Sequence, residues 1–179
     1  SWQRLGSDGA WVPWLAAKGV GIAPWKPANM GFRVEWSAKM APFFGQPVKG
    51  VTLRARSSSR SGSLRLADRR GEPPRLDEQR GEFVISERGI EGGGVYALSR
   101  ALRDGADLEL DLLPDLSAED IARRLARMRS GETATNRLRK LGLDRVQVAL
   151  VMEFSREDPF ARLKNLPIPL QGPRPLDEA

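Results

Sequence analysis

Any chemistry in this chain must come from carboxylates, hydroxyls, guanidiniums and backbone amides, because its 179 residues include neither His nor Cys. That removes the commonest general base, the commonest zinc ligand and every thiolate nucleophile or disulfide. Three acidic pairs remain, Glu109/Asp111, Glu119/Asp120 and Glu157/Asp158, and acid–base catalysis needs two carboxylates in unlike environments. Each pair has a plainer reading. The first faces solvent on a strand, the second opens a helix where acids favour the dipole, and the third does the same before Phe160. Hydroxyls such as Ser7 and Ser99 have no evident base, and no G-x-S-x-G elbow occurs. No catalytic residue and no metal ligand is therefore assigned.

The run Gly89-Ile90-Glu91-Gly92-Gly93-Gly94 reads as a turn between a strand at Phe83–Ile85 and a helix at Val95–Leu102. Its N–H groups could face an anion at the helix N-terminus. It does not match the dinucleotide fingerprint, and Glu91 would repel phosphate unless it met a hydroxyl or ring N–H. The charge balance is 29 Lys and Arg against 23 Asp and Glu, a net +6, which favours polyanionic partners such as RNA. Arg accounts for most of those cations, a bias that a GC-rich coding sequence also produces. By segment, the excess lies in the first half of the sequence.

The elements that must position these groups follow from periodicity. Residues 1–30 hold Trp2, Trp11, Trp14 and Trp25 among several prolines, with no sustained period; they read as a connecting segment that either fills this chain's own core or covers an interface. Residues 31–114 alternate with period two at Phe32/Val34/Trp36, Val51/Leu53/Ala55, Leu64/Leu66, Phe83–Ile85 and Leu108/Leu110/Leu112, interrupted by a helix over 94–104 that ends at Gly105. This is an α+β pattern, a small antiparallel barrel carrying a helical addition. Ser57–Ser63 and Arg69–Arg75 read as loop tips. Residues 115–166 read as a helical subdomain, opened by a capping box at Ser117–Asp120 with Ile121, Leu125 and Met128 on one stripe and Arg123, Arg124 and Arg127 opposite. Helices are expected over Thr135–Leu141, stopped by Gly142, and Val146–Phe154. Residues 167–179 return extended. No run of about 18 apolar residues spans a bilayer and no secretory start is visible, so a cytoplasmic protein is expected.

Three segments together carry a resemblance: Ser1-Trp2-Gln3-Arg4-Leu5-Gly6-Ser7-Asp8-Gly9-Ala10-Trp11, the stretch from Arg80-Gly81-Glu82-Phe83 through Gly89-Ile90-Glu91-Gly92 to Tyr96-Ala97-Leu98-Ser99, and Arg174-Pro175-Leu176-Asp177-Glu178-Ala179. In this order they resemble the YhiN/BaiN-like NAD(P)/FAD-dependent flavoproteins, also called aminoacetone-oxidase-like, and the Gly-Ile-Glu-Gly-Gly turn resembles one proteobacterial branch. In that family a long insert, a barrel plus a helical piece, interrupts the FAD-binding domain, and the sequence is similar to that insert. The glycine-rich FAD fingerprint and the Ala-Gly-Gly return would flank it and are not in the sequence, so the fragment is expected to bind no FAD and to be inactive alone. The resemblance implies that Gly6, Ser7, Asp8, Gly9, Gly89, Ile90, Glu91, Gly92 and Arg174 face the flavin. It also implies the parent's FAD-binding domain as partner, NAD(P)H as reductant, and a substrate such as uridine in ribosomal RNA or a related unsaturated compound. Arg54, Arg56, Arg60, Arg65, Arg69 and Arg70 are the expected contacts to RNA phosphates. Two other classes remain open: a stand-alone RNA-binding barrel, and a purely structural cap.

Overall fold

The computed structural model describes residues 6, 8–57, 76–129 and 131–175. In chain order these form α1 (Val12–Ala16), β1 (Phe32–Arg33), a 3-10 turn (Ala38–Phe43), β2 (Pro47–Ser57), β3 (Leu76–Ser86), β4 (Gly89–Glu91), α2 (Gly93–Arg103), β5 (Ala106–Asp111), α3 (Ala118–Ala126), α4 (Ala134–Leu141), α5 (Arg145–Phe154) and β6 (Leu166–Ile168). The strands make one antiparallel sheet in the order β1-β4-β3-β2-β5-β6. The expected α+β class, a curled antiparallel barrel with helices, is what the chain adopts.

Alternation explains the sheet. Val51, Leu53 and Ala55 of β2, Phe83 and Ile85 of β3, and Leu108 and Leu110 of β5 turn to one face and are buried, each large side chain contributing about 1.5–3 kcal/mol by leaving water. The strand β2 bends partway: its register against β3 shifts between Val48 and Val51, where Gly50 has φ +64°, the signature of a bulge that sharpens twist. Against the concave face lies α2, burying Val95, Leu98 and Leu102. Its close seat requires Gly94, since a Cβ there would stand 2.8 Å from both Glu82 O and Leu53 Cδ1.

The helices share that core, for Ile121, Leu138, Leu141, Val146, Leu150 and Val151 belong to the same buried cluster as the strand residues. Ser117 caps α3 by accepting from Asp120 N at 3.0 Å, and its own hydroxyl donates to Asp120 Oδ2. The full reciprocal box stands elsewhere, at α5, where Asp144 accepts from Gln147 N and Gln147 Oε1 accepts from Asp144 N. Gln147 Nε2 then reaches Lys49 O at 3.0 Å, tying α5 to the bulge of β2. Gly142 ends α4 at φ +109°, as its position implies.

Some expectations need correcting. The glycine run is not simply a strand-to-helix turn: β3 makes a tight hairpin through Glu87-Arg88, Gly89–Glu91 pair with β3 as a strand of their own, and only then does α2 start. Three residues with two glycines carry no readable period, so pairing, not pattern, defines β4. The first expected strand, Phe32–Trp36, is ladder-bonded only over Phe32–Arg33; Trp36 instead donates Nε1 to Ser86 O at 3.0 Å and meets the ring of Phe154 at 5.6 Å. Leu64, Leu66 and most of both expected loop tips lie outside the described residues.

Four carboxylates are held below their ordinary range, Asp115 and Glu119 exposed and Asp120 and Glu132 half-buried. For Asp115 the main cause is the Arg80 guanidinium, for Glu132 the Lys140 ammonium, for Asp120 the Ser117 hydroxyl, and for Glu119 a bond from its own backbone N–H. A depressed native pKa gives stability that is present above the unfolded value and lost as pH falls through the native one. With no His to titrate, the melting temperature is expected to be level between about pH 6 and 8 and to fall below about pH 4. Salt should flatten that acid limb, since these pairs are open to solvent. A thermal melt followed across pH by circular dichroism checks this; a step near neutrality would contradict it.

Candidate functional site

The incoming and outgoing stretches of the barrel run side by side. Arg33 N donates to Gly172 O at 2.9 Å, Gln171 N to Arg33 O at 2.8 Å, and Arg174 N to Gly31 O at 2.9 Å, with Phe32 bridged to Pro173. On its other side β1 pairs with β4, Phe32 opposite Ile90 and Arg33 opposite Gly89. Three pieces distant in sequence thus meet at one seam. Gly89 is what lets them meet: its φ is +140°, and a Cβ there would lie 2.0 Å from Phe32 O and 2.7 Å from Val34 N, so no side chain fits. Gly31 is constrained likewise, with Ile90 O at 2.8 Å from a would-be Cβ.

Across this seam Arg174 Nη1 binds Glu91 Oε2 at 2.7 Å, and its Nη2 binds the Ser86 hydroxyl. The pair is mostly covered, with the Arg174 side chain 11% exposed. Beside it opens a cleft of about 520 Å³ lined by Arg33, Val34, Glu35, Arg88, Gln171 and Arg174. Arg33 donates Nη2 to Gln171 O there. Of the residues expected to face the flavin, Gly89, Ile90, Glu91 and Arg174 therefore come together, with Gly92 as the N-cap residue of α2. Ile90 itself points into the core, fully buried. Gly6, Asp8 and Gly9 precede α1 instead: Asp8 caps Ala10 N, and Gly9, at φ +74°, packs against the ring of Trp25, which meets Trp11 at 5.4 Å. Ser7 lies outside the described residues.

The tryptophans here are exposed. Trp14 is 71% accessible, Trp11 47% and Trp25 44%, with Leu15 and Val20 beside them. Helix α1 buries none of its residues, although Trp rings offer large apolar areas that folded chains ordinarily cover. Its attachment to the barrel includes the bond from Arg103 Nη1 to Pro27 O at 2.7 Å.

The arginines expected to grip RNA are placed unevenly. Arg60, Arg65, Arg69 and Arg70 lie outside the described residues. All three nitrogens of Arg54 are engaged internally, with Glu78 Oε2, Lys164 O and Asp111 Oδ2. Burial opposes its charge most, but the Glu78 and Asp111 carboxylates outweigh that and hold its pKa above the ordinary value. Arg56 is exposed and pairs with Glu109 at 3.1 Å.

The partner of Arg54 corrects an expectation. Asp111 was read as solvent-facing; its side chain is 1% exposed and receives Lys164 Nζ at 2.7 Å, Arg54 Nη2 at 3.1 Å and Leu113 N at 3.1 Å. Alternation correctly puts it on the outer face of β5, opposite Thr52. What alternation cannot register is that residues 163–164 come back over that face, with Leu163 O accepting from Leu112 N at 2.9 Å. Lys164 Nζ also donates to Leu113 O and Leu116 O.

Among the described residues no cluster of acids could hold a metal ion, and no helix is long and apolar enough to cross a membrane. The family model described as the HI0933-like protein barrel and H2TH domain matches residues 26–179. No curated protein matches the chain. The matched region covers the sheet, helices α2 to α5 and the seam, and starts after Trp25, so α1 and the exposed Trp11, Trp14 and Trp25 precede it.

Removing one partner from a buried ionic network strands the rest. Asp111→Ala, which leaves Lys164 without its carboxylate beneath the return segment, is expected to destabilise the chain by about 3 kcal/mol in urea unfolding. A loss below about 1 kcal/mol, the range of an exposed pair, would show that the network is incidental.

Proposed function

Because the chain belongs to the family of HI0933-like protein barrel and H2TH domains, the insert domain of YhiN-like flavoproteins, we propose that it forms the substrate-side wall of an FAD-dependent oxidoreductase whose flavin-binding domain lies in the same parent protein. The observation that carries this reading is the seam. An insert must leave its host and rejoin it at nearly one place, and the pairing of Gly31–Arg33 with Gln171–Arg174 holds the two crossings together. The exposed tryptophans add support. A segment that buries nothing of its own helix and lies outside the matched region fits a piece of the host domain, whose remainder covers Trp11, Trp14 and Trp25.

The residues present do not fit a site for the flavin pyrophosphate. Such a cradle needs free backbone N–H groups at an open glycine-rich turn. Here the passage from β4 to α2 is packed against β3 at Gly94, and Glu91 at its mouth is already engaged by Arg174. FAD, in this reading, is held by the host domain, and this chain contributes the cleft of Arg33, Arg88 and Arg174 facing it. The substrate is an unsaturated compound, with uridine in ribosomal RNA the instance that the basic charge favours. A stand-alone barrel that stacks bases on its sheet is less well supported, because Phe32 and Phe83 are wholly inside and such binders expose their sheet aromatics.

The chain purified in the presence of FAD should elute colourless, while the longer parent protein should carry the visible absorbance of a flavin. Mixing the chain with the separately produced flavin domain should shift its tryptophan emission toward shorter wavelength as Trp14 and its neighbours leave water. Stoichiometric flavin retained by the chain alone would overturn the assignment of the cofactor to the host. An unchanged emission spectrum on mixing would overturn the docking face.

A further inference from the structure

Strand β3 is longer than the strand beside it. Its pairing with β4 covers only Val84–Ser86, whereas its pairing with β2 continues to Leu76. In an antiparallel sheet the N–H and C=O of one residue point to the same side, and that side alternates along the strand. Ile85 fixes the phase, since its N–H donates to Gln46 O at 3.1 Å and its C=O accepts from Gly45 N at 2.7 Å, both on the β2 side. Val84, Glu82, Arg80 and Glu78 therefore turn their backbone groups the other way. Glu82 O meets the start of α2, 2.8 Å from where a Cβ on Gly94 would stand. Arg80 O accepts from the side chain of its neighbour, Gln79 Nε2 at 2.7 Å, with one of its two lone pairs. Among the described residues no strand pairs with Glu78 and Arg80 on this side, and both residues are exposed.

An open edge of this kind is a template for another strand. Its side chains specify which one. On the outer face Glu109, Arg54 and Glu78 stand in one cross-strand row and Asp111, Thr52 and Arg80 in the next, so the two rows reach the edge in opposite charges. An antiparallel copy of β3 centred on Gln79 sets Glu78 opposite Arg80 and Arg80 opposite Glu78. The Glu109–Arg54–Glu78 row then continues across the junction with its signs alternating. Centring the pair on Glu78 or on Arg80 instead sets like charges face to face, which is destabilising. A one-residue slip sets Glu78 against Gln79, whose backbone groups face β2. A Cβ on Gly93 would meet nothing within 4 Å, so α2 begins beside this edge without walling it off.

We propose that Glu78–Arg80 of β3 is the docking edge for a second copy of this chain, the two sheets joining across a two-fold axis at Gln79. Glu78 and Arg80 of each copy exchange backbone hydrogen bonds with Arg80 and Glu78 of the other, a self-complementary contact of the kind a two-fold interface requires. The backbone bonds hold the strands together. The outer-face charges, already steadied by Arg54 on Glu78 and by Asp115 on Arg80, fix the register more than the affinity. The proposal does not depend on the flavoprotein reading, since it uses the end of β3 away from β4 and the seam.

Sedimentation velocity of the full chain, from micromolar to submillimolar concentration, should show a reversible monomer–dimer equilibrium. Glu78→Arg and Arg80→Glu each set like charges across the axis, so either variant alone should be monomeric where the unaltered chain is half dimeric. An equimolar mixture of the two restores opposite charges at both pairs and should associate. The chain has no cysteine, so Gln79→Cys reads the register by itself and does not rely on the charge variants folding. Across the axis the two Gln79 positions form a non-hydrogen-bonded pair with Cα atoms about 4.5 Å apart, within the reach of a disulfide. That variant should become a covalent dimer with oxidised glutathione, while Glu87→Cys, exposed at the hairpin beyond the other end of β3, should not. A monomer at every concentration, dimers undiminished in both charge variants, a mixture that stays apart, or no cross-link at position 79 would each overturn the proposal. So would Glu78 and Arg80 amides that gain exchange protection only when the separately produced flavin domain is added, which would give the edge to a strand of the host.

Discussion

Residues 166–174 pair with β5 at one end and with β1 at the other, and among the described residues this segment is what brings the first and last strands of the sheet together. An open antiparallel sheet of this size would present two unpaired edges, each a site for unwanted pairing. Here a single segment serves both. Proline suits the places where it stands: Pro167 and Pro173 give up amide donors in a strand that is ladder-bonded only in short stretches. Closure requires the near-contact of backbones at Gly89 and Gly31, so the glycines of the β4 turn answer to sheet geometry as well as to any site beside it.

Bringing a long segment back has an entropic cost that grows slowly with loop length, and the Asp111 network supplies what offsets it. Lys164, just before β6, is anchored by Asp111 and by two carbonyls of the 113–116 turn, while Arg54 joins β2 to the same carboxylate. The helices between β5 and β6 are held at their base by this cluster and at their top by Gln147 on the β2 bulge. Barrel and helices therefore rest on one core, with the ionic cluster fixing the point where the chain turns back toward the seam.

Much of this was legible in the sequence because the strongest elements have strong periods. The Val51–Ala55 and Leu108–Leu112 alternations, the Ile121/Leu125/Met128 stripe and the stop at Gly142 all translate into observed structure. The two-residue β1 and three-residue β4 were not legible as strands, since neither is long enough to show alternation and both exist through partners far away in sequence. The burial of Asp111 was hidden for the same reason: period two tells which face a residue takes, not which segment covers it. The capping box at Asp144–Gln147 could have been found, as an acid followed three residues later by Gln is its signature. At the candidate site, Gly89–Glu91 and Arg174 were singled out on resemblance alone. Their meeting depends on a contact across 83 positions that no local pattern encodes.

Placing the two crossings of the barrel at one seam gives the molecule its direction. The cleft of Arg33, Arg88 and Arg174 and the Glu91 pair lie where chain enters and leaves, while α3 and α4 arise from the connection between β5 and β6. All of this rests on the seam being native to the isolated chain. Hydrogen exchange of the Arg33, Gln171 and Arg174 amides measures that directly: slow exchange, matched to the central β2–β3 amides, is the expected result, and fast exchange at these three while β2 and β3 stay protected would contradict it.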